Sequence, residues 1–202
     1  MNGIIVLAIT ILVIIFILTL RSYGPVWPYD PARAAGDRAE DAVAIRLKQK
    51  LYETDLLFTN VEIEYEGKKT EIDDLVVNRN GIFFIEVKYY SGTLYGEYED
   101  REWTKLHRSG AGDEYYKKVK NPIYQVRRQE YLLSSYLKQF GIGDWVTGYV
   151  YFIENNSPIS DDYILENLDE FISIIHRRSG SPLTKTRVDK ISDLFAEYSV
   201  SD

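Results

Sequence analysis

Cysteine is absent from the 202-residue chain, methionine occurs once and histidine twice. No disulfide, thiol nucleophile or cysteine-ligated zinc can form, and the composition suits a reducing compartment. Neither His107 nor His176 has a partner at metal-ligand spacing, and both are expected at the surface. There is no Ser-His-Asp set, and neither glycine-rich phosphate loop pattern occurs. Basic excess is also missing. Acidic residues number 31 against 24 basic, a net charge of −7. That argues against a general basic coat for nucleic acid and leaves room only for a local patch. Internal repeats and low-complexity tracts are absent too.

Charge is missing altogether from residues 3–20, which are nearly all Ile, Leu, Val, Ala and Phe. As a helix this run spans roughly 27 Å, about one hydrocarbon core. A cleaved signal peptide would need a basic start and a small-residue cleavage site, and Met1-Asn2 supplies no base. Residues 1–21 therefore read as a transmembrane anchor. Arg21, Arg33 and Arg38 follow the run and none precedes it. The expected topology is a single-pass cell-membrane protein, N-terminus outside and domain cytoplasmic. Tyr23, Trp27 and Tyr29 suit an interfacial belt, and Pro25, Pro28 and Pro31 make 22–35 a stiff, non-helical juxtamembrane linker. Residues 36–202 are enough for one domain with its own core.

The most informative stretch of that domain is 71–88. Residues 72–77 and 82–87 are rich in Ile, Val and Phe and flank Asn80-Gly81, a strong hairpin signal because both turn positions favour φ > 0. Inside these apolar strands sit Asp73, Glu86 and Lys88. A two-residue loop at Asn80-Gly81 would set Asp73 opposite Lys88. A four-residue loop, 78–81, would set it opposite Glu86. Either register leaves all three on one face, because side chains alternate with period two. Two carboxylates at cross-strand spacing can share a divalent cation, with the ammonium beside it. A surface salt bridge is the plainer reading, but both faces of the hairpin are apolar, and buried charges need partners or a metal.

Around it the pattern predicts a helix at 36–51 with Ala39, Val43, Ala44, Leu47 and Leu51 inward, and a strand at 56–65 leading to a turn at 66–69. Glu40 borders the helix stripe and would also suit the dipole of a first turn. Gly92 and Gly96 bracket a further strand and a bend. Lys117, Lys118, Lys120, Arg127 and Arg128 form the one dense basic cluster, interleaved with Tyr115, Tyr116 and Tyr124. Such a cluster is either a solvated face or a nucleic-acid contact. Asn121-Pro122 opens a helix whose inward stripe is Val126, Gln129, Leu133, Tyr136, Leu137 and Phe140, with Gln125 in its first turn. Strands at 146–153 and 163–165, a helix capped by Asn167 through 175, and a last helix capped by Thr184 or Thr186 complete the chain.

These pieces in this order resemble the nuclease-related domain family, a branch of the restriction-endonuclease-like D…ExK superfamily. The matching residues are Gly36 with Glu40, Glu71-Ile72-Asp73, Gly81-Ile82-Phe83, Ile85-Glu86-Val87-Lys88, Gly92, Trp103, and Asn121-Pro122 with Gln125. The match covers 36–140, with 141–202 continuing in the family manner. Ala39 stands where many members have glycine, and Asp74 where histidine or another residue is common; Asp74 is expected on the opposite face, harmless to the site. The resemblance implies an α/β fold, a restriction-endonuclease-like mixed β-sheet flanked by helices, and a Mg²⁺- or Mn²⁺-dependent nuclease acting on DNA. It implies that Asp73, Glu86 and the Val87 carbonyl hold the metal. Lys88 would orient the attacking water and stabilise developing charge, Glu40 would reach the metal or its water, and Gln125 would position water or phosphate. Lys117, Lys118, Lys120, Arg127 and Arg128 would meet phosphates. The alternative is a non-catalytic module of the same fold, binding nucleic acid or protein at the membrane.

Overall fold

The computed structural model describes residues 31–108, 112–154, 159–177 and 181–200. The expected membrane span at 3–20 lies outside the described residues. Among those that are described, no helix is long and apolar enough to cross a membrane.

Helix α1 (Pro31–Lys50) leads into an antiparallel run, β1 (Leu56–Tyr65), β2 (Lys68–Asn78) and β3 (Gly81–Lys88). Three strands follow, β4 (Thr93–Tyr95), β5 (Glu102–Arg108) and β6 (Glu114–Lys120), then α2 (Pro122–Gln139), β7 (Val146–Phe152) and β8 (Ile164–Leu165). Helices α3 (Leu168–Ile175) and α4 (Lys185–Leu194) and a 3₁₀ turn (Ala196–Tyr198) close the chain. The main sheet runs β1-β2-β3-β7-β8, with β7 parallel to both β3 and β8, so it is mixed. The smaller sheet is β4-β5-β6.

Helices cover both faces of the main sheet, as its alternating apolar residues require. Leu75, Val77, Ile82 and Phe84 share one core with Val126, Leu133 and Leu137 of α2. Val76, Ile85 and Val87 share the other with Val43 and Leu47 of α1 and Phe171 and Ile175 of α3. Leu94 and Trp103 seat the small sheet against the first core. Asn121 caps α2 by accepting from the Ile123 N–H at 2.9 Å, and Pro122 follows at the position where a missing N–H costs nothing.

Three expectations need correcting. The linker at 22–35 was expected to be non-helical; 22–30 lie outside the described residues, but 31–35 belong to α1, and proline is well suited to a first helical turn, its φ already helical. The turn with two positive φ values is Glu66-Gly67, at 50° and 72°, between β1 and β2. At the other hairpin Asn78 pairs with Gly81, leaving Arg79-Asn80 as the loop, and neither Asn80 nor Gly81 has positive φ. Side chains shape that turn instead. Asn78 Oδ1 accepts from the Asn80 N–H at 2.8 Å, and both asparagine amides donate to the Ile175 carbonyl at the end of α3. That carbonyl is one that a helix C-terminus leaves unpaired. Finally, His176 is not a free surface residue. Its Nε2 lies 2.7 Å from Asp55 Oδ2 and its ring stacks on Tyr52 at 3.9 Å.

Candidate active site

The hairpin register resolves the position of Asp73. Pairs run from Asn78–Gly81 to Asp74–Ile85, which sets Asp73 level with Glu86 rather than Lys88. The ladder stops there. The Val87 N–H, which would next have paired across to β2, instead donates to Asp73 Oδ2 at 2.7 Å. The Val87 carbonyl points to the same edge, beyond the last ladder pair, because N–H and C=O of one strand residue face the same neighbour. Beyond Asp74 and Ile85 the two strands thus form a fork, closed by a carboxylate instead of a backbone bond.

A distortion on the β1 side lies opposite Asp73. The β1–β2 ladder passes from Thr59–Asp74 to Val61–Ile72 and skips Asn60, whose φ is 53°. Phe58 and Val61 lie in one core, as do Ile72 and Leu75. The period-two alternation therefore slips between Asp74 and Ile72, and Asp74 keeps the parity of Val76. Asp74 turns toward α1, 1 % exposed, and its Oδ2 has no hydrogen-bond partner. Burial, then the charges of Glu40 and Asp41, push its pKa up to about 8. It stands away from Glu86 as expected, but it is a buried, unpaired acid rather than a neutral bystander.

Glu86, 2 % exposed, gathers the other groups. Its Oε1 accepts from the Lys88 ammonium and from Gln125 Nε2 at 2.5 Å. Its Oε2 accepts from Gln129 Nε2 at 2.5 Å. Burial and the neighbouring Glu86 charge push the Asp73 pKa up to about 8. Burial alone would lower the Lys88 pKa, but Glu86 and its hydrogen bond more than offset this, so Lys88 is held as a cation. Glu40 stands within electrostatic range of Lys88 and Glu86, its pKa raised chiefly by burial, and makes no hydrogen bond among the described residues. The fold thus brings Asp73, Glu86, Lys88 and Gln125 together, with Glu40 at their edge.

Gln129 is the member that sequence reasoning placed in the core stripe. Its Nε2 spans the fork, donating to Glu86 and to the Glu71 carbonyl of β2 at 2.8 Å. A glutamine in an otherwise apolar stripe was the available signal. Its Oε1 is buried without a partner.

Among the described residues no three acidic or histidine side chains stand close enough to share a cation. Oxygen donors with free capacity are nonetheless present at the fork. Asp73 Oδ1 has no hydrogen-bond partner among the described residues, Glu86 Oε2 has one donor, and the Val87 carbonyl faces the gap. Two crowded carboxylates, one driven to hold a proton, are what a small hard cation would relieve, and such a cation keeps several waters as ligands.

The basic cluster divides. Lys118 and Lys120 of β6 and Arg128 of α2 line a groove of about 920 Å³, together with Tyr124, Gln125 and Arg101. Lys117 falls on the other side of β6, level with Lys105, and Arg127 donates to the Tyr98 hydroxyl at 2.9 Å. Arg101 was not anticipated. It reaches the groove because the Asn121 N–H donates to its carbonyl at 3.0 Å, which ties the β5 approach to the start of α2.

Among curated proteins and solved structures, none matches the chain significantly. The profile of the nuclease-related domain family matches residues 35–153, from α1 to the end of β7, and so takes in the fork, Gln125 and Gln129. By that match over more than half its length, the chain belongs to the nuclease-related domain family.

Proposed function

We propose that the chain hydrolyses phosphodiester bonds in DNA at the fork, on a restriction-endonuclease-like fold, with Mg²⁺ or Mn²⁺ as cofactor. The observation that carries this reading is the convergence of Asp73, Glu86, Lys88 and Gln125 where the β2–β3 ladder ends. Asp73, Glu86 and the Val87 carbonyl would hold the cation. When bound, it supplies Lewis-acid polarisation of the phosphate and a more acidic water. Lys88, already a cation, cannot serve as the base at neutral pH. Its ammonium can turn from Glu86 to a phosphate oxygen and stabilise the charge that grows there. Gln125 can orient a water or phosphate with the amide it now offers Glu86, and Glu40, with its raised pKa, can exchange a proton near the reacting oxygens.

The three donors already held by Glu86 favour a second reading, a non-catalytic nucleic-acid-binding module. Mn²⁺ calorimetry and nicking of supercoiled plasmid and circular single-stranded DNA separate the two. Glu86→Gln should lose metal binding and cleavage together. Lys88→Met should bind metal at least as well yet cleave on the order of 10²-fold more slowly. Wild-type rates in both folded variants would rule out a nuclease at this fork.

The proposed setting is the inner face of the cell membrane, with residues 3–20 as the anchor. The uncharged run and the arginines after it support this orientation. Protease added outside intact cells should leave the domain uncut; its digestion would refute the topology.

A further inference from the structure

Arg101, Lys118, Lys120 and Arg128 line one groove, against the single acid Glu102, on a chain whose net charge is −7. Among the described residues none of the four is in an ion pair. Lys118 donates to the Thr104 hydroxyl and Arg128 to the Lys69 carbonyl, both neutral acceptors, so their charges remain available. Tyr124 lies on the same groove, 41 % exposed, its hydroxyl fixed by donation to the Glu99 carbonyl at 3.1 Å. Gln125 lines the groove as well and touches Glu86, so the row of cations leads to the recessed carboxylate.

We infer that this groove takes a single, unpaired nucleic-acid strand, an inference that rests on the nuclease reading for its catalytic consequence. The ring among the cations is the reason. Tyr124 is 41 % exposed on the groove and can stack on a base only where no complementary strand and no neighbouring base covers that face. A duplex, stiff over roughly 150 base pairs, holds its phosphates on a convex surface. An unpaired strand bends at each nucleotide and offers base faces. Tyr124 can stack one of them whatever its sequence, while the four cations neutralise the phosphates on either side.

The test is fluorescence anisotropy of the full chain in EDTA, which prevents metal-dependent cleavage, with a labelled oligonucleotide of about 15 nucleotides, single-stranded or annealed to its complement. The single strand should bind at least about 10-fold more tightly than the duplex at 0.1 M salt. Its log–log salt slope should be near −3 for four contacts and should shrink by about 0.7 in Lys120→Gln and in Arg101→Gln. Tyr124→Ala should weaken single-strand binding by roughly 5-fold or more with duplex binding unchanged, and Tyr124→Phe should restore it. Equal or tighter duplex binding, or indifference to Tyr124→Ala in a protein of unchanged circular dichroism, would overturn the inference. Strand-selective binding without cleavage in Mg²⁺ would leave the groove assignment standing and remove the nuclease reading. Cleavage of duplex without single-strand preference would do the reverse.

Discussion

Replacing Asp74 by Asn should stabilise the protein, and by an amount that depends on pH. Asp74 is 1 % exposed, its Oδ2 is unpartnered, and its pKa is raised from 3.8 to about 8. In the folded state it keeps its proton at neutral pH; in the unfolded chain it ionises. Unfolding therefore releases a proton, and stability falls as pH rises from about 4 to about 8, then levels off. Each pH unit in that window is worth about 1.4 kcal/mol, so the cost at pH 7 approaches about 4 kcal/mol as an upper figure. Asn cannot ionise, has nearly the same shape, and can donate toward Glu40 and Asp41, the charges that Asp74 feels. Asp73, whose pKa is also pushed up to about 8, is present in both proteins and cancels in the difference. Urea unfolding followed by the fluorescence of Trp103, which is fully buried, gives the stability of each protein from pH 5 to 9. The gap should widen by about 1.4 kcal/mol per unit from pH 5 to 7 and become constant above about pH 8. A gap independent of pH, or an Asp74→Asn variant less stable than the wild type throughout, would show that Asp74 is ionised and paired.

Other perturbations follow from the same contacts. Gln129→Leu keeps the volume but strips a donor from Glu86 and from the Glu71 carbonyl; it should cost about 2 kcal/mol or more in urea unfolding, whereas Gln125→Ala, at an exposed position, should cost less than about 1. Gly148→Ala would place a Cβ 2.1 Å from the buried Phe84 ring, so its Tm should fall by an amount equivalent to about 1–3 kcal/mol; Gly143→Ala, with nothing within 4 Å, should be near neutral.

Much of the fold was legible because its strands and helices carry their own periodicity. Beyond Asn60, β1 alternates, α2 is announced by Asn121-Pro122, and Val43 and Leu47 mark the buried face of α1. Parity alone could relate Asp73, Glu86 and Lys88, because alternation is a local property of extended backbone. Register was not legible. Asn80-Gly81 offered a familiar turn, but Asn78, Asn80 and the end of α3, almost a hundred residues later, set a different one. Such contacts leave no local pattern.

The sequence by itself determined which chemistry is available: no thiol, two histidines, and four charged residues, Asp73, Asp74, Glu86 and Lys88, in apolar strands. It also determined the kinds and order of most elements, since propensity and hydrophobic period act within a few residues. Only the tertiary structure decided that the β2–β3 ladder ends at Asp74–Ile85, that Gln129 bridges the resulting fork, and that Arg101 joins Lys118, Lys120 and Arg128 while Lys117 and Arg127 do not. Those outcomes depend on how separate elements pack. The slip at Asn60 and Asp73 shows why: a single backbone distortion puts Phe58 with Val61, and Ile72 with Leu75, in one core, an arrangement that strict alternation along either strand could not express.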